Sequence, residues 1–172
     1  MASLMENLID ILTQESGIYE GLLELAIKKT PVIVAGDLEG LTAITDEEQN
    51  VAIGLSNLEK RREEVTKDMA TVLNKPIDSM KLLDLIEMLK GRPEEQKRLI
   101  EVRDRLQKSV YELKRVNNQN SELLKNALEM VQFEMGLLQA MKTAPETANY
   151  SRGAYNTGAT MGYNAGGFDA KQ

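Results

Sequence analysis

Over most of the chain, apolar residues recur in alternating steps of four and three, a spacing that helices packed against other helices can bury and strands cannot. The longest run is Leu99, Arg103, Leu106, Val110, Leu113, Asn117, Asn120, Leu124, Ala127, Val131, Glu134, Leu138 and Met141. Up to Ser121 this seam is nearly all the apolar surface its helix has. From Leu123 onward Leu128, Met130, Phe133, Met135 and Leu137 add apolar side chains off the seam, while only Lys125, Glu129 and Glu134 carry charge before Lys142. A helix wetted on its outer face has no use for those extra residues. The stretch reads as a surface built for a partner.

Two further segments carry the same spacing. Leu4, Leu8, Ile11, Glu15, Ile18, Leu22, Leu25, Lys29 and Val32 predict a first helix, with Ser3 and Glu6 as a capping pair and a kink or stop within a turn of Pro31. Gly36 fits its C-terminal cap and Asp37 the N-cap of the next helix, which makes a tight turn. Leu41, Ile44, Glu48, Val51, Leu55, Leu58, Arg62, Val65, Met69 and Val72 then predict one continuous second helix, although Thr45 with Glu48 offers a competing start. Asn74, Lys75 and Pro76 end it. A short helix is expected from about Ser79 to Lys90, capped by Asp78 and stopped by Gly91. Pro93 suits the first position of the last helix, where Glu94 and Glu95 complement the dipole.

At about 1.5 Å per residue the first two helices span roughly 50 to 55 Å, whereas Pro93 to Lys142 spans roughly 75 Å. The last helix therefore overhangs its neighbours or bends near Asn117 to Ser121, where weak helix formers cluster. Either way the apolar stretch after Leu123 needs a partner or a second copy to cover it. The tail from Glu146 to Gln172 holds Gly153, Gly158, Gly162, Gly166 and Gly167, which favour neither helix nor regular strand. Tyr150, Tyr155, Tyr163 and Phe168 are four of only seven aromatic residues, and a plain linker has no use for them.

Composition removes most chemistry. The chain has no histidine and no cysteine, so the commonest general base, metal ligand and thiol nucleophile are missing and no disulfide can form. We therefore expect no enzyme, no cofactor and no metal site. Asp46, Glu47 and Glu48 lack the loop spacing of a calcium site and read as a solvated face. A formal charge of −6 without a basic stripe argues against nucleic acid, since the largest cluster, Lys60 to Arg62, runs straight into Glu63 and Glu64. Glu6 and Asp10 interrupt any signal-peptide pattern, and no apolar run approaches the roughly 20 residues that span a bilayer. The expectation is a cytoplasmic protein of 172 residues without stable membrane insertion.

Polar seam residues admit two readings. Asn117 and Asn120 are either a recognition site or buried amides that fix helix register. Glu15, Glu48, Arg62, Arg103 and Glu134 are candidates for pairs across helices. Met130, Met135 and Met141 suit either a surface that repacks around different partners or the core of an oligomer.

The runs Tyr19-Glu20-Gly21-Leu22-Leu23-Glu24-Leu25-Ala26, Gly36-Asp37-Leu38-Glu39-Gly40-Leu41 and Leu55-Ser56-Asn57-Leu58-Glu59-Lys60-Arg61-Arg62, with Glu47-Glu48 between them, resemble the FlgN-like flagellar export chaperones. Asn117 and Asn120, followed by Leu123-Leu124, are similar to the N-x-x-N-x-x-L-L segment of that family's last helix. The resemblance spans Leu4 to Met141. It implies a small cytosolic bacterial protein that holds the hook-filament junction subunits, the first and third hook-associated proteins, before type III export. It also implies a substrate-binding region toward the C-terminus. The Gly/Tyr-rich ending departs from the family pattern.

The fold expected is all-α, an antiparallel bundle of three long helices plus one short helix, with a Gly/Tyr-rich C-terminal tail. Residues 1–142 make the helical bundle chaperone domain, with 123–142 as candidate substrate-binding segment, and 143–172 a flexible tail. The partner-binding residues are Leu123, Leu124, Leu128, Met130, Val131, Phe133, Met135, Leu138 and Met141. Tyr150, Tyr155, Tyr163 and Phe168 are candidates for tail docking, on the chain's own apolar stretch or on the flagellar export apparatus. The partners implied are hook-associated proteins, with a homodimer when the site is unoccupied. The competing reading is a homo-oligomeric coiled-coil structural or adaptor protein.

Overall fold

The computed structural model describes residues 2–143, with side chains from residue 4. Four α-helices, α1 (Ala2–Ala35), α2 (Leu38–Leu73), α3 (Leu82–Met88) and α4 (Pro93–Thr143), follow in order, with 3₁₀ turns at Ile77–Ser79 and Leu89–Gly91 flanking α3. No strand occurs among the described residues. Residues through Glu129 form one compact unit, and the α4 residues from Met130 belong to another.

Local chemistry sets the boundaries. Pro31 lies inside α1, which ends one turn later at Gly36 with φ of +68°. There Gly36 N–H donates to Ile33 O and Asp37 N–H to Val32 O, both at 3.1 Å, which satisfies two orphan carbonyls of the helix end. Asp37 then caps α2 by accepting from Gly40 N–H at 2.9 Å. A Cβ on Gly40 would fall on that carboxylate. The same closing pattern ends α2, where Asn74 takes the left-handed conformation at φ of 48° and Lys75 N–H reaches Ala70 O at 3.0 Å. Within α2, Thr45 bonds its hydroxyl back to Leu41 O, so the competing start is not used. α1 begins at Ala2, one residue ahead of Ser3, whose side chain lies outside the described residues.

The short helix differs from its expected span. Instead of Ser79 to Lys90 under an Asp78 cap, α3 covers seven residues after Lys81, and no side chain caps it. Ser79 Oγ closes a 3₁₀ turn on Pro76 O, and Met80 leaves helical geometry at φ −102°, ψ 30°. Met80 is 5% exposed, so burial of one thioether in the core outweighs a further helical turn.

Side-chain pairs give the directions. Glu15 with Arg62 and Lys29 with Glu48 join α1 and α2 as an antiparallel hairpin. Glu6 with Arg98, Glu20 with Arg105, and Thr30 with Asn120 run α4 parallel to α1. The connection through α3 closes one end of this up-down-up arrangement. There Met5, Leu8, Ile9 and Leu12 of α1, Met69 and Ala70 of α2, Met80, Leu85 and Leu89 around α3, and Leu99 and Leu106 of α4 form the core.

α1 serves two neighbours, and a second stripe on it shows how. Met5, Ile9, Leu12, Ser16, Tyr19, Leu23, Ala26, Thr30 and Ile33 also step by four and three, and all are buried or half-buried. Ala26 and Thr30 of that stripe meet Asn120 of α4, while Glu15 and Lys29 of the first stripe meet α2. The buried side of α4 is shifted by one residue from the expected seam. Leu99, Leu106 and Asn120 are buried as expected, but Ser109 and Val116 take the places of Val110 and Asn117, and Val102 is half-buried beside Arg103. A bundle seam is a stripe about 100° wide, so adjacent positions compete. The register chosen puts two valines inside and leaves the Asn117 amide exposed.

A candidate partner-binding face

The two seam amides of α4 have opposite environments. Asn120 is 3% exposed; its Nδ2 donates to Ala26 O at 2.8 Å, and its Oδ1 accepts from Thr30 Oγ1 at 2.6 Å. Both polar ends are satisfied by α1, which fixes the register of the two helices. Asn117 is exposed and lines a groove of about 460 Å³ with Leu22, Gln49, Ala52, Leu113 and Leu124. The polar half of this groove is tied down where Lys29 binds Glu48, so that one member of the Asp46 to Glu48 run is paired with a lysine. Among the described residues no group of acidic side chains converges to hold a metal ion.

Of the residues expected to pair across helices, Glu15 with Arg62 and Glu48 with Lys29 do so. Arg103 does not; it binds its sequence neighbour Asp104 at 3.1 Å, because the buried stripe passes beside it. Glu134 is exposed and makes no ion pair among the described residues. Glu15 is 1% exposed and accepts from Arg62 Nη1 at 2.8 Å through Oε2. Its Oε1 and the neighbouring Ser16 Oγ have no partner. Burial pushes the Glu15 carboxyl above the usual carboxylate range, Arg62 opposes this, and Glu59 adds to it. Burial also raises the Tyr19 phenol, helped by Glu59 and Glu15.

A second, larger groove of about 940 Å³ lies between α2 and the α3 connection, lined by Leu8, Glu63, Ile77, Lys81, Leu83 and Arg103 among others. Sequence patterning missed it. Its wall depends on where α3 starts, and the break at Met80 leaves Ile77 and Leu83 exposed beside the groove.

The candidate residues of α4 fall in two environments. Leu123 and Leu124 are half-buried. Leu128, Met130, Val131, Phe133, Met135, Leu138 and Met141, together with Leu137, are between 51% and 71% exposed. The helix is unbroken through Asn117 to Ser121 and onward to Thr143. Elsewhere in α4 the apolar residues alternate with charge; here large apolar side chains stand in water over more than three turns. Tyr150, Tyr155, Tyr163 and Phe168 lie outside the described residues.

Among the described residues, what the second part of α4 offers is exposed apolar surface. No helix among the described residues is long and apolar enough to cross a membrane. The runs that carried the family resemblance now have physical roles: Gly36 to Gly40 is the hairpin turn, Arg62 holds Glu15, and Asn120 locks α4 to α1. Comparison with protein families gives a match to FlgN protein over residues 1–158. No curated protein and no solved structure matches. The chain belongs to the FlgN family of flagellar export chaperones.

Proposed function

We propose that this chaperone holds hook-associated subunits of the hook-filament junction through the apolar second part of α4, and so prevents their assembly before export. The observation that carries the proposal is the exposure of Leu128, Val131, Met135 and Leu138, which continue the steps of three and four beyond Asn120 and Leu124. An amphipathic helix of the subunit would lie along this line as a helix in a groove, with half-buried Leu123 and Leu124 at one end and Leu138 at the other. Methionine suits such a surface because its unbranched thioether adapts to more than one partner shape. An unoccupied chaperone would pair the same face with a second copy, so a homodimer at high concentration fits this reading.

Titration calorimetry of the full chain with a purified junction subunit tests it. The double variant Val131→Glu with Leu138→Glu is expected to weaken binding at least about tenfold, since two exposed anchors lose roughly 1 kcal/mol or more each. Unchanged affinity would reject the α4 site. The scaffold alternative makes a separate demand: a protein that sediments as a monomer at micromolar concentration is not a permanent coiled-coil oligomer.

A further inference from the structure

The exposed apolar residues of α4 form two stripes. At about 100° per residue, Leu128, Val131, Met135 and Leu138 cluster on one line, and Met130, Phe133, Leu137 and Met141 cluster on another roughly 135° away. All eight are exposed, and Glu134 and Glu129 lie between the lines on either side. A packed helix covers a stripe of about 100°, so one partner helix on the first line leaves the second in water. A second cover is required.

We propose that the second cover is the chain's own last segment, residues 144–172, which docks through its aromatic residues on Met130, Phe133, Leu137 and Met141. Three observations converge. The segment follows directly on Thr143, and the six residues before Tyr150 reach about 20 Å, enough to return from Thr143 to the level of Met130, about 20 Å back along the helix. It carries Tyr150, Tyr155, Tyr163 and Phe168, four of the protein's seven aromatic residues, opposite a stripe that holds two exposed methionines. Sulfur to aromatic contacts are favourable, and Met130 and Met141 stand at the two ends of the stripe. Its charges, Glu146, Arg152, Asp169 and Lys171, sum to zero, so docking meets no net repulsion. Attachment supplies an effective concentration in the millimolar range, which makes even weak aromatic contacts count.

The division of the two stripes rests on the subunit-binding reading above, and the experiment separates the two. The chain has no cysteine, so Thr157→Cys in the full-length protein accepts a single nitroxide label. Methyl resonances of Met130 and Met141 are expected to broaden in the labelled chain. Adding Leu137→Glu, in the middle of the second stripe and outside the partner-binding set, should abolish the broadening while affinity for the junction subunit stays within about twofold. Val131→Glu with Leu138→Glu should do the reverse, lowering affinity and keeping the broadening. No broadening in the labelled parent overturns the proposal. So does broadening seen only when label and isotope sit on different chains, which assigns the stripe to a second copy, or a loss of affinity above about tenfold in Leu137→Glu, which assigns it to the subunit. If instead Val131→Glu with Leu138→Glu leaves affinity unchanged while the broadening persists, the subunit site fails and the docked segment stands.

Discussion

The closed end of the bundle and the stretch from Leu128 to Met141 are made of the same side chains in the same rhythm, yet one is core and the other is exposed. At the closed end Leu8, Leu12, Met69, Leu85 and Leu99 are each less than 2% exposed, because α1, α2, α3 and α4 all contribute to one cluster. On α4 from Leu128 onward, leucines and methionines of equal hydrophobicity are more than half exposed. The difference lies in the neighbours. Apolar periodicity states that a face will be covered and does not state by what.

The largest effect expected from this contrast comes from one leucine at each place. Leu99→Ala should lower unfolding free energy by about 2–5 kcal/mol, since it removes a fully buried side chain and leaves a cavity in the core cluster. Leu138→Ala, exposed, should stay within about 0.5 kcal/mol. Urea unfolding of the two variants checks both. A large loss for Leu138→Ala would mean that the chain itself already buries that position.

The two amides sharpen the comparison at smaller scale. Asn120→Ala removes the bond to Ala26 O and leaves the Thr30 hydroxyl only its longer 3.4 Å bond to the same carbonyl, so a loss of about 1–3 kcal/mol is expected. Asn117→Ala, three residues away on the exposed side, should change stability by less than about 0.5 kcal/mol. If Asn117→Ala weakened subunit binding instead, the groove beside Leu22 and Gln49 would join the partner site.

Much of this arrangement is legible in the residues themselves. Gly36, Asp37, Asn74 and Pro93 mark helix ends by backbone chemistry that acts locally, and the three long helices follow from their spacing. What was hidden depends on tertiary choice. The second stripe of α1 is periodic too, but a sequence read for one seam assigns Ser16, Ala26 and Thr30 to a wet face; only the docking of α4 shows that α1 is the central helix. Likewise Val110 and Ser109 are adjacent, and no local rule says that the serine goes inside. The α3 start was hidden for the same reason, since the burial of Met80 decides it. The exposed end of α4 was legible because an excess of apolar residues needs no knowledge of the neighbours.

Glu15 gives the finest test of the contrast, because it places a charge at the margin of the well-packed end. Burial dominates and raises its folded pKa above the ordinary carboxylate value, so the folded chain holds the proton more tightly than the unfolded one. The sign follows by linkage: the group's favourable contribution is fully present below its unfolded pKa and is lost as pH rises through its folded pKa. Glu15→Gln keeps an oxygen for Arg62 Nη1 and removes the charge, so the variant should be at least as stable as the parent at pH 7. As pH falls from 7 toward the ordinary carboxylate range, the parent should gain on the variant and the gap should close. Thermal unfolding of both chains across that range reads the slope. A gap that instead opened on acidification, with the parent losing ground, would show that the Arg62 ion pair outweighs desolvation, and that the polar layer beside Ser16 stabilises the bundle as a charge pair.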